Sequence, residues 1–286
     1  MQKLFSSEQI KAWDAYTIQH EPISSLALME RASGAFVQWF IQNYKLSTPI
    51  YVFCGPGNNG GDGFAICRIL QQKDYNATPY LVDSQNSLSP DCQINYQKLN
   101  LVQHIQNSHI IKNLSFTNDT VVIDALFGSG LSRPISGIYH ELINYLNTTN
   151  TTKIAIDIPS GMFCDTIHNK ASTVFKSDFT ISFQTPKRAF FLPEYKYYIK
   201  ESIILDIGLH NDYYQTTSTN WFLCSSNSDT LPIANRTLTQ LPELANSIEK
   251  VAYLIQLAKE QQQTICYKKE MTCLVTPKEK IYLIVK

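Results

Sequence analysis

The chain has no run of about 18 apolar residues, so no segment of it reads as a bilayer span. Nor does it carry net charge: 24 Lys+Arg stand against 24 Asp+Glu. That removes the broad attraction on which nucleic-acid and anionic-membrane binding depend, and neither partner is expected. Seven cysteines are scattered without a single Cys-x-x-Cys pair, which argues for reduced thiols in a cytoplasmic protein and against a zinc site. The first 18 residues place charges where a secretory leader would be apolar, so they read as mature protein. Glycine is scarce as well. Of 11 glycines in 286 residues, five (Gly55, Gly57, Gly60, Gly61 and Gly63) fall within nine positions, and none follows Gly208. Because glycine lets a ligand approach backbone N–H groups closely, this clustering marks a binding loop.

Around that loop the chain alternates strands and helices. Ser6 and Gln9 have the spacing of a capping box, and Ile10, Trp13 and Tyr16 recur at helical spacing, predicting a helix over 7–20. Met29, Ala32, Phe36 and Trp39 predict a second over 25–43. The run 49–54 reads as a strand that ends in the glycine loop, followed by a helix over 64–72. Further strands are expected at 79–82, 120–123, 153–156, 179–183 and 202–205. Continuous apolar strands between helices imply an α/β fold with a mostly parallel central sheet covered on both faces. The polar stretch 211–220 reads as a linker. Beyond it lies a small α+β module with an amphipathic helix (Leu244, Ile248, Val251, Leu254, Ala258) and a strand pair, 264–276 and 280–285. About 65 residues of this kind bury little core alone, so the module is expected to lean on a neighbour.

In such sheets, ligands gather beyond the carboxyl ends of the strands. Three strand ends carry polar chemistry: 55–63, 124–134 and 157–161. The first holds Gly55-x-Gly57-x-x-Gly60, with Asp83 lying 23 residues past Gly60. That spacing fits a dinucleotide fingerprint and keeps an NAD-dependent dehydrogenase open. It leaves Asp62 unexplained, since a carboxylate in the loop repels a phosphate unless a cation or a neutral group lies beside it. Asn59, Asp124 and Ser160 are hard oxygen donors suited to an alkali or alkaline-earth cation. Alternatively, Asp124 and Ser160 cap the helices that follow them. Asp157, between a buried-looking strand and a rigid Pro-Ser-Gly turn, is expected to have a raised pKa and to exchange protons with substrate, or else to make an Asx turn. Lys187 reads either as a cation that meets an anionic group or as an exposed lysine that is merely solvated. No histidine lies in these loops, which leaves no histidine base.

Taken together, the segments Leu28-Met-Glu-Arg-Ala32, Gly57-Asn-Asn-Gly-Gly-Asp-Gly63, Asp124-Ala-Leu-Phe-Gly128, Gly130-Leu-Ser-Arg-Pro134, Asp157-Ile-Pro-Ser-Gly161 and Pro186-Lys187 resemble the NAD(P)H-hydrate epimerase family, or YjeF N-terminal domain, over residues 1–210. The resemblance implies a Rossmann-like three-layer αβα sandwich, a homodimer, and a substrate that is hydrated NADH or NADPH. It further implies that Asn58, Asn59, Gly60, Gly61 and Asp62, then Gly128, Ser129, Gly130, Leu131, Ser132, Arg133 and Pro134, together with Asp157, hold the hydrated dinucleotide. Potassium would sit on Asn59, Asp124 and Ser160, and Asp157 would transfer the proton. Within residues 221–286, Leu238-Thr-Gln-Leu-Pro-Glu-Leu244, the helix after it and the segment 264–282 resemble a short stretch of the hydrate dehydratase domain fused to many bacterial relatives. With no glycine for an anion-binding turn, they read as a degenerate remnant or interaction module without dehydratase activity. A non-catalytic nucleotide- or protein-binding module is the remaining alternative.

Overall fold

The computed structural model describes residues 1–82, 87–167, 172–226, 228 and 230–285. In chain order its elements are β1 (Gln2–Lys3), α1 (Ser7–His20), α2 (Ser25–Asn43), β2 (Ile50–Cys54), α3 (Asn58–Gln71), β3 (Ala77–Val82), α4 (Pro90–Gln97), β4 (Gln103–Ile105), α5 (Ser108–Lys112), β5 (Val121–Ala125), α6 (Gly137–Thr148), β6 (Thr152–Ile156), β7 (Ser177–Phe183) and β8 (Ile199–Leu205). There follow α7 (Asn211–Thr216), β9 (Trp221–Ser225), β10 (Arg236–Leu238), α8 (Ser247–Gln261), β11 (Ile265–Lys268), β12 (Thr272–Val275) and β13 (Ile281–Val285).

The main sheet has seven parallel strands in the order β4-β3-β2-β5-β6-β7-β8. Its strands are apolar on both sides because both sides are covered. Along β2, Ile50, Val52 and Cys54 pack with Phe36 and Phe40 of α2 and Phe64 of α3. The alternate residue, Phe53, packs with Leu142, Ile143 and Leu146 of α6 on the other face. This is the three-layer sandwich expected of the sequence. The chain runs outward from β2 through β3 to β4, then crosses back to place β5 on the other side of β2. Strand order therefore reverses between β2 and β5, and a crevice opens where their carboxyl ends diverge.

Several local expectations hold. Ser6 and Gln9 make the capping box, and α2 spans the expected range. Others shift. Helix α3 begins at Asn58, well before Phe64, so most of the glycine loop is the first turn of a helix. The stretch 211–220 is no bare linker, since α7 packs Tyr213 and Tyr214 on Phe5 and Trp13. Segment 264–276 is two antiparallel strands, β11 and β12, rather than one.

The second sheet, in the order β1-β9-β13-β12-β11-β10, draws its first strand from the extreme N-terminus. Leu4 is part of its core, with Val251 and Leu254 of α8. Arg188 clamps the two halves together: its guanidinium donates to the Leu4 carbonyl, pairs with Asp165 at 3.6 Å and lies over the Trp221 ring. The Ser247 N–H at the start of α8 donates to Glu194 at 2.6 Å.

Candidate functional site

The crevice is lined by the loops leaving β2, β5 and β6. The first places α3 with Gly57 as its N-cap, a residue without a side chain to satisfy the helix's first N–H groups. Such an end attracts anions. Gly60 lets the turn close: a Cβ there would stand 1.8 Å from the Gly55 carbonyl oxygen, so no other residue fits. The 28–32 motif supports this arrangement from behind. Met29 lies against Gly61, Glu30 pairs with Arg68 of α3, and Arg31 donates to the Ile207 and Gly208 carbonyls.

Asp157 lies at the end of β6 with φ of +65°, a left-handed conformation that costs a non-glycine residue free energy and is kept where the surroundings enforce it. Its Oδ1 meets the Lys187 ammonium at 2.6 Å, and its Oδ2 accepts the Ser129 N–H at 3.1 Å from the β5 loop. It makes no Asx turn; its bonds reach two other segments. Lys187 does meet an anionic group, but from the interior rather than as an exposed, solvated lysine. It is fully buried and also donates to Ser182 Oγ at 2.9 Å and to the Thr185 carbonyl. Burial alone would push the Asp157 carboxyl up, but the Lys187 ammonium and the Ser129 donors outweigh it and hold the carboxyl below the usual carboxylate value. The expectation of a raised value is thus overturned by a partner whose burial the sequence did not reveal.

Asp124, at the end of β5, is 1% exposed and bonded to the β6 loop. Its Oδ1 accepts Ser160 Oγ at 2.6 Å and the Leu126 N–H at 3.2 Å, while Oδ2 accepts the Ser160 N–H at 2.8 Å. Neither Asp124 nor Ser160 caps a helix, since the next one, α6, starts with Ser136 as its cap. Burial, only partly offset by these bonds, raises the Asp124 carboxyl to about 6. Ser160 Oγ also bridges to the backbone of Phe127, which joins the β5 and β6 loops. Asn59 is 8% exposed, and its Nδ2 is buried without a partner among the described residues. Asn59 Oδ1 and Asp157 Oδ2 each come within 3.3 Å of where a Cβ on Gly128 would stand, so these two side chains converge on that glycine.

Of the expected site residues, Asn59 and Asp157 converge on Gly128, Ser129 donates to Asp157, and Asp124 with Ser160 ties the β5 and β6 loops together, while Gly60 and Gly61 are buried, Gly60 against the Gly55 carbonyl and Gly61 against Met29 and Cys92. Asn58 is exposed and accepts a hydrogen bond from Ser89. Gly130, Ser132, Arg133 and Pro134 are exposed along the β5 loop, with Leu131 half-buried between them. Asp62 is half-buried in the first turns of α3. Burial, with Asp157, Asp14 and Asp91 adding like charge, raises its carboxyl well above the usual value. Asp83 lies outside the described residues. The sequence offers Lys187 but not its burial, and it gives no sign of Asp14 on α1, whose carboxyl burial raises to about 7 against the opposing Lys187 ammonium. A lone aspartate on an amphipathic helix gives no local signal of such a place.

Residues 25–189 match the profile of the family described as YjeF-related protein N-terminus. The chain belongs to that family. Within 206 aligned residues it is 31% identical to the NAD(P)H-hydrate epimerase of Weissella koreensis, covering 72% of this chain and 91% of that one. A second relative, the NAD(P)H-hydrate epimerase of Lentilactobacillus buchneri, is 31% identical over 73% of this chain and 96% of its own length. The bifunctional NAD(P)H-hydrate repair enzyme Nnr of Thermofilum pendens is 30% identical over 65% of this chain and 36% of that protein. Among solved structures, yeast ynu0 (YNL200c) shares the fold with a TM-score of 0.54 at 21% identity, over 65% of this chain and 82% of that one.

Proposed function

We infer that this protein is an NAD(P)H-hydrate epimerase, an isomerase that interconverts the R and S forms of hydrated NADH and NADPH and so repairs a damaged coenzyme. The observation that carries the reading is the convergence of Asn59 and of the Ser129-bonded Asp157 on Gly128 at the reversal of strand order, in a chain that matches relatives bearing that name over 91% and 96% of their own length.

The reaction breaks and remakes a C–O bond on the nicotinamide ring. Departure of the hydroxyl as water needs a proton, the ring nitrogen's lone pair stabilises the cation left behind, and water entering on the other face must lose one. The uncapped start of α3 and the N–H groups of the 128–134 loop suit the phosphates of the coenzyme. Asp62, driven toward its neutral form, does not oppose them. Asp157, kept ionised by Lys187, takes the proton from the entering water and stabilises the cationic ring.

A potassium ion fits Asn59, Asp124 and Ser160 in donor chemistry. All three offer oxygen, Asp124 is a buried carboxylate, and turning over the Asn59 amide would put Oδ1 where its Nδ2 is now unbonded. When bound, the ion would offset carboxylate charge beside a phosphate-rich ligand. We propose further that the protein is a cytoplasmic homodimer and that residues 221–286 add no dehydratase activity.

The test is incubation of the full chain with the R hydrate and chromatographic separation of the epimers. Asp157→Asn is expected to retain dinucleotide binding while the rate falls by about 100-fold or more; undiminished turnover removes the role of Asp157. A change at the reduced-nicotinamide absorbance band during turnover would instead favour the dehydrogenase.

A further inference from the structure

A cavity of about 390 Å³ opens where β6, β7 and β8 begin, at the edge of the parallel sheet opposite the crevice. Lys153 on β6 precedes Asp157 by four residues of mostly extended chain, which sets the two about 13 Å apart. Lys153, Lys176, Lys196 and Lys200 line this cavity, with Asp178 as its single carboxylate. That carboxylate compensates little. Its Oδ2 accepts the Lys153 backbone N–H at 2.9 Å, and its Oδ1 stands 3.7 Å from a Lys200 ammonium whose side chain is 80% exposed and screened by solvent. In a chain of zero net charge, the surplus of cations here is a local accumulation. Lys153 is buried, and its ammonium donates to the Thr149 and Thr151 carbonyls at 2.7 and 3.1 Å, so one of its three N–H groups has no acceptor among the described residues. Burial lowers its value, with Asp178 opposing and Lys176 assisting, as befits a cation short of negative charge. At the rim, Tyr197 is 74% exposed, and the Lys176 ammonium donates to its hydroxyl at 3.0 Å and lies 4.5 Å from its ring centroid.

We propose that this cavity is a second ligand site, separate from the crevice, that takes a nucleoside polyphosphate, with adjacent phosphates among the lysine ammoniums and the base against the Tyr197 ring. A cleft lined by one sign of charge focuses its field and draws in the opposite ion, whereas lysines serving only solubility have no reason to converge on one cavity. A single phosphate monoester carries about −2 at neutrality, less than the surplus of ammoniums, so two or more adjacent phosphates match the site better. An exposed tyrosine beside such a cluster adds a stacking surface, which a bare inorganic polyphosphate does not use. Asp178 Oδ1 makes no hydrogen bond among the described residues and suits a ribose hydroxyl. The volume falls within the range of small-molecule sites. The inference stands apart from the epimerase reading, since the cavity shares no residue with the crevice.

The test follows the backbone amides of the full chain by NMR during titration with ADP and, separately, with inorganic pyrophosphate. ADP should shift the amides of Lys176, Asp178, Tyr197 and Lys200 along a saturation curve distinct from that of residues 58–61 in the crevice. Lys196→Ala combined with Lys200→Ala, both exposed and so without cost to folding, should weaken both ligands at the cavity about tenfold or more and leave the crevice curve unchanged. Tyr197→Ala should weaken ADP about tenfold, to the level of pyrophosphate, while Tyr197→Phe, which keeps the ring, should bind as the wild type does. Shifts confined to the crevice, or an ADP affinity at the cavity that the double lysine variant does not change, overturn the site. Pyrophosphate binding there as tightly as ADP, or ADP indifferent to Tyr197→Ala, overturns the assignment to a nucleotide. None of these results bears on the epimerase reading, which fails only if the full chain does not interconvert the hydrates.

Discussion

Replacing Lys187 with Met tests whether the ion pair beneath the crevice is what keeps Asp157 ionised. Met matches the stem in length but removes the charge, leaving Asp157, whose side chain is 17% exposed, without its counterion. Breaking a buried pair from one side costs about 3–5 kcal/mol because the surviving charge is stranded. The pH dependence separates this from simple loss of packing. In the wild type the folded Asp157 value lies below that of the unfolded chain. The pair's stabilisation is therefore present above about pH 4 and is lost as pH falls through the lowered folded value. In Lys187→Met burial is opposed only by the Ser129 donors, the folded value rises, and stability falls as pH climbs above about 4. The gap between the two proteins should accordingly be small near pH 4 and widest near neutrality. Adding Asp157→Asn to Lys187→Met removes the stranded charge and should recover stability, with a coupling of about 3 kcal/mol in the double-mutant cycle. Urea denaturation at both pH values reads this directly. A gap that does not change with pH, or a double variant no more stable than Lys187→Met, refutes the reasoning.

Gly60→Ala gains about 1 kcal/mol of helix propensity, but it drives a Cβ to 1.8 Å from the Gly55 carbonyl, which is backbone and cannot turn aside. A net loss of about 2 kcal/mol or more in denaturant is expected, with weakened dinucleotide binding, whereas Gly57→Ser, in open space at the helix cap, should fold normally. Potassium should raise the melting temperature and the epimerisation rate of the wild type more than lithium does. Asp124→Asn should lose both responses; equal effects of the two salts would remove the ion from the site.

The architecture was legible because it depends on local periodicity. Strands apolar on both sides, separated by amphipathic helices, leave few alternatives to a covered parallel sheet, and Ser6 with Gln9 announces its own helix. Segment ends were less legible where packing rather than propensity decides. The sequence 58–63 has poor helix formers and reads as loop, yet α3 starts at Asn58 because only glycine lets that turn lie against Gly55. β4 has three residues, too few for a period. The site divided along the same line. Asn59, Asp124, Asp157 and Ser160 stand at strand ends beside turn residues, where chemistry is expected. Lys187 and Asp14 could not be read in this way, because what distinguishes them is burial and proximity created by segments far apart in sequence. The same limit applies to the second sheet, whose edge strand comes from residues 2–3. Lys187 and Arg188 are consecutive, and one is buried under Asp157 while the other holds the Leu4 carbonyl and the Trp221 ring. The electrostatics of the crevice and the docking of the C-terminal sheet therefore share one short segment. A boundary drawn at residue 210 separates the sequence cleanly but cuts through a single set of contacts.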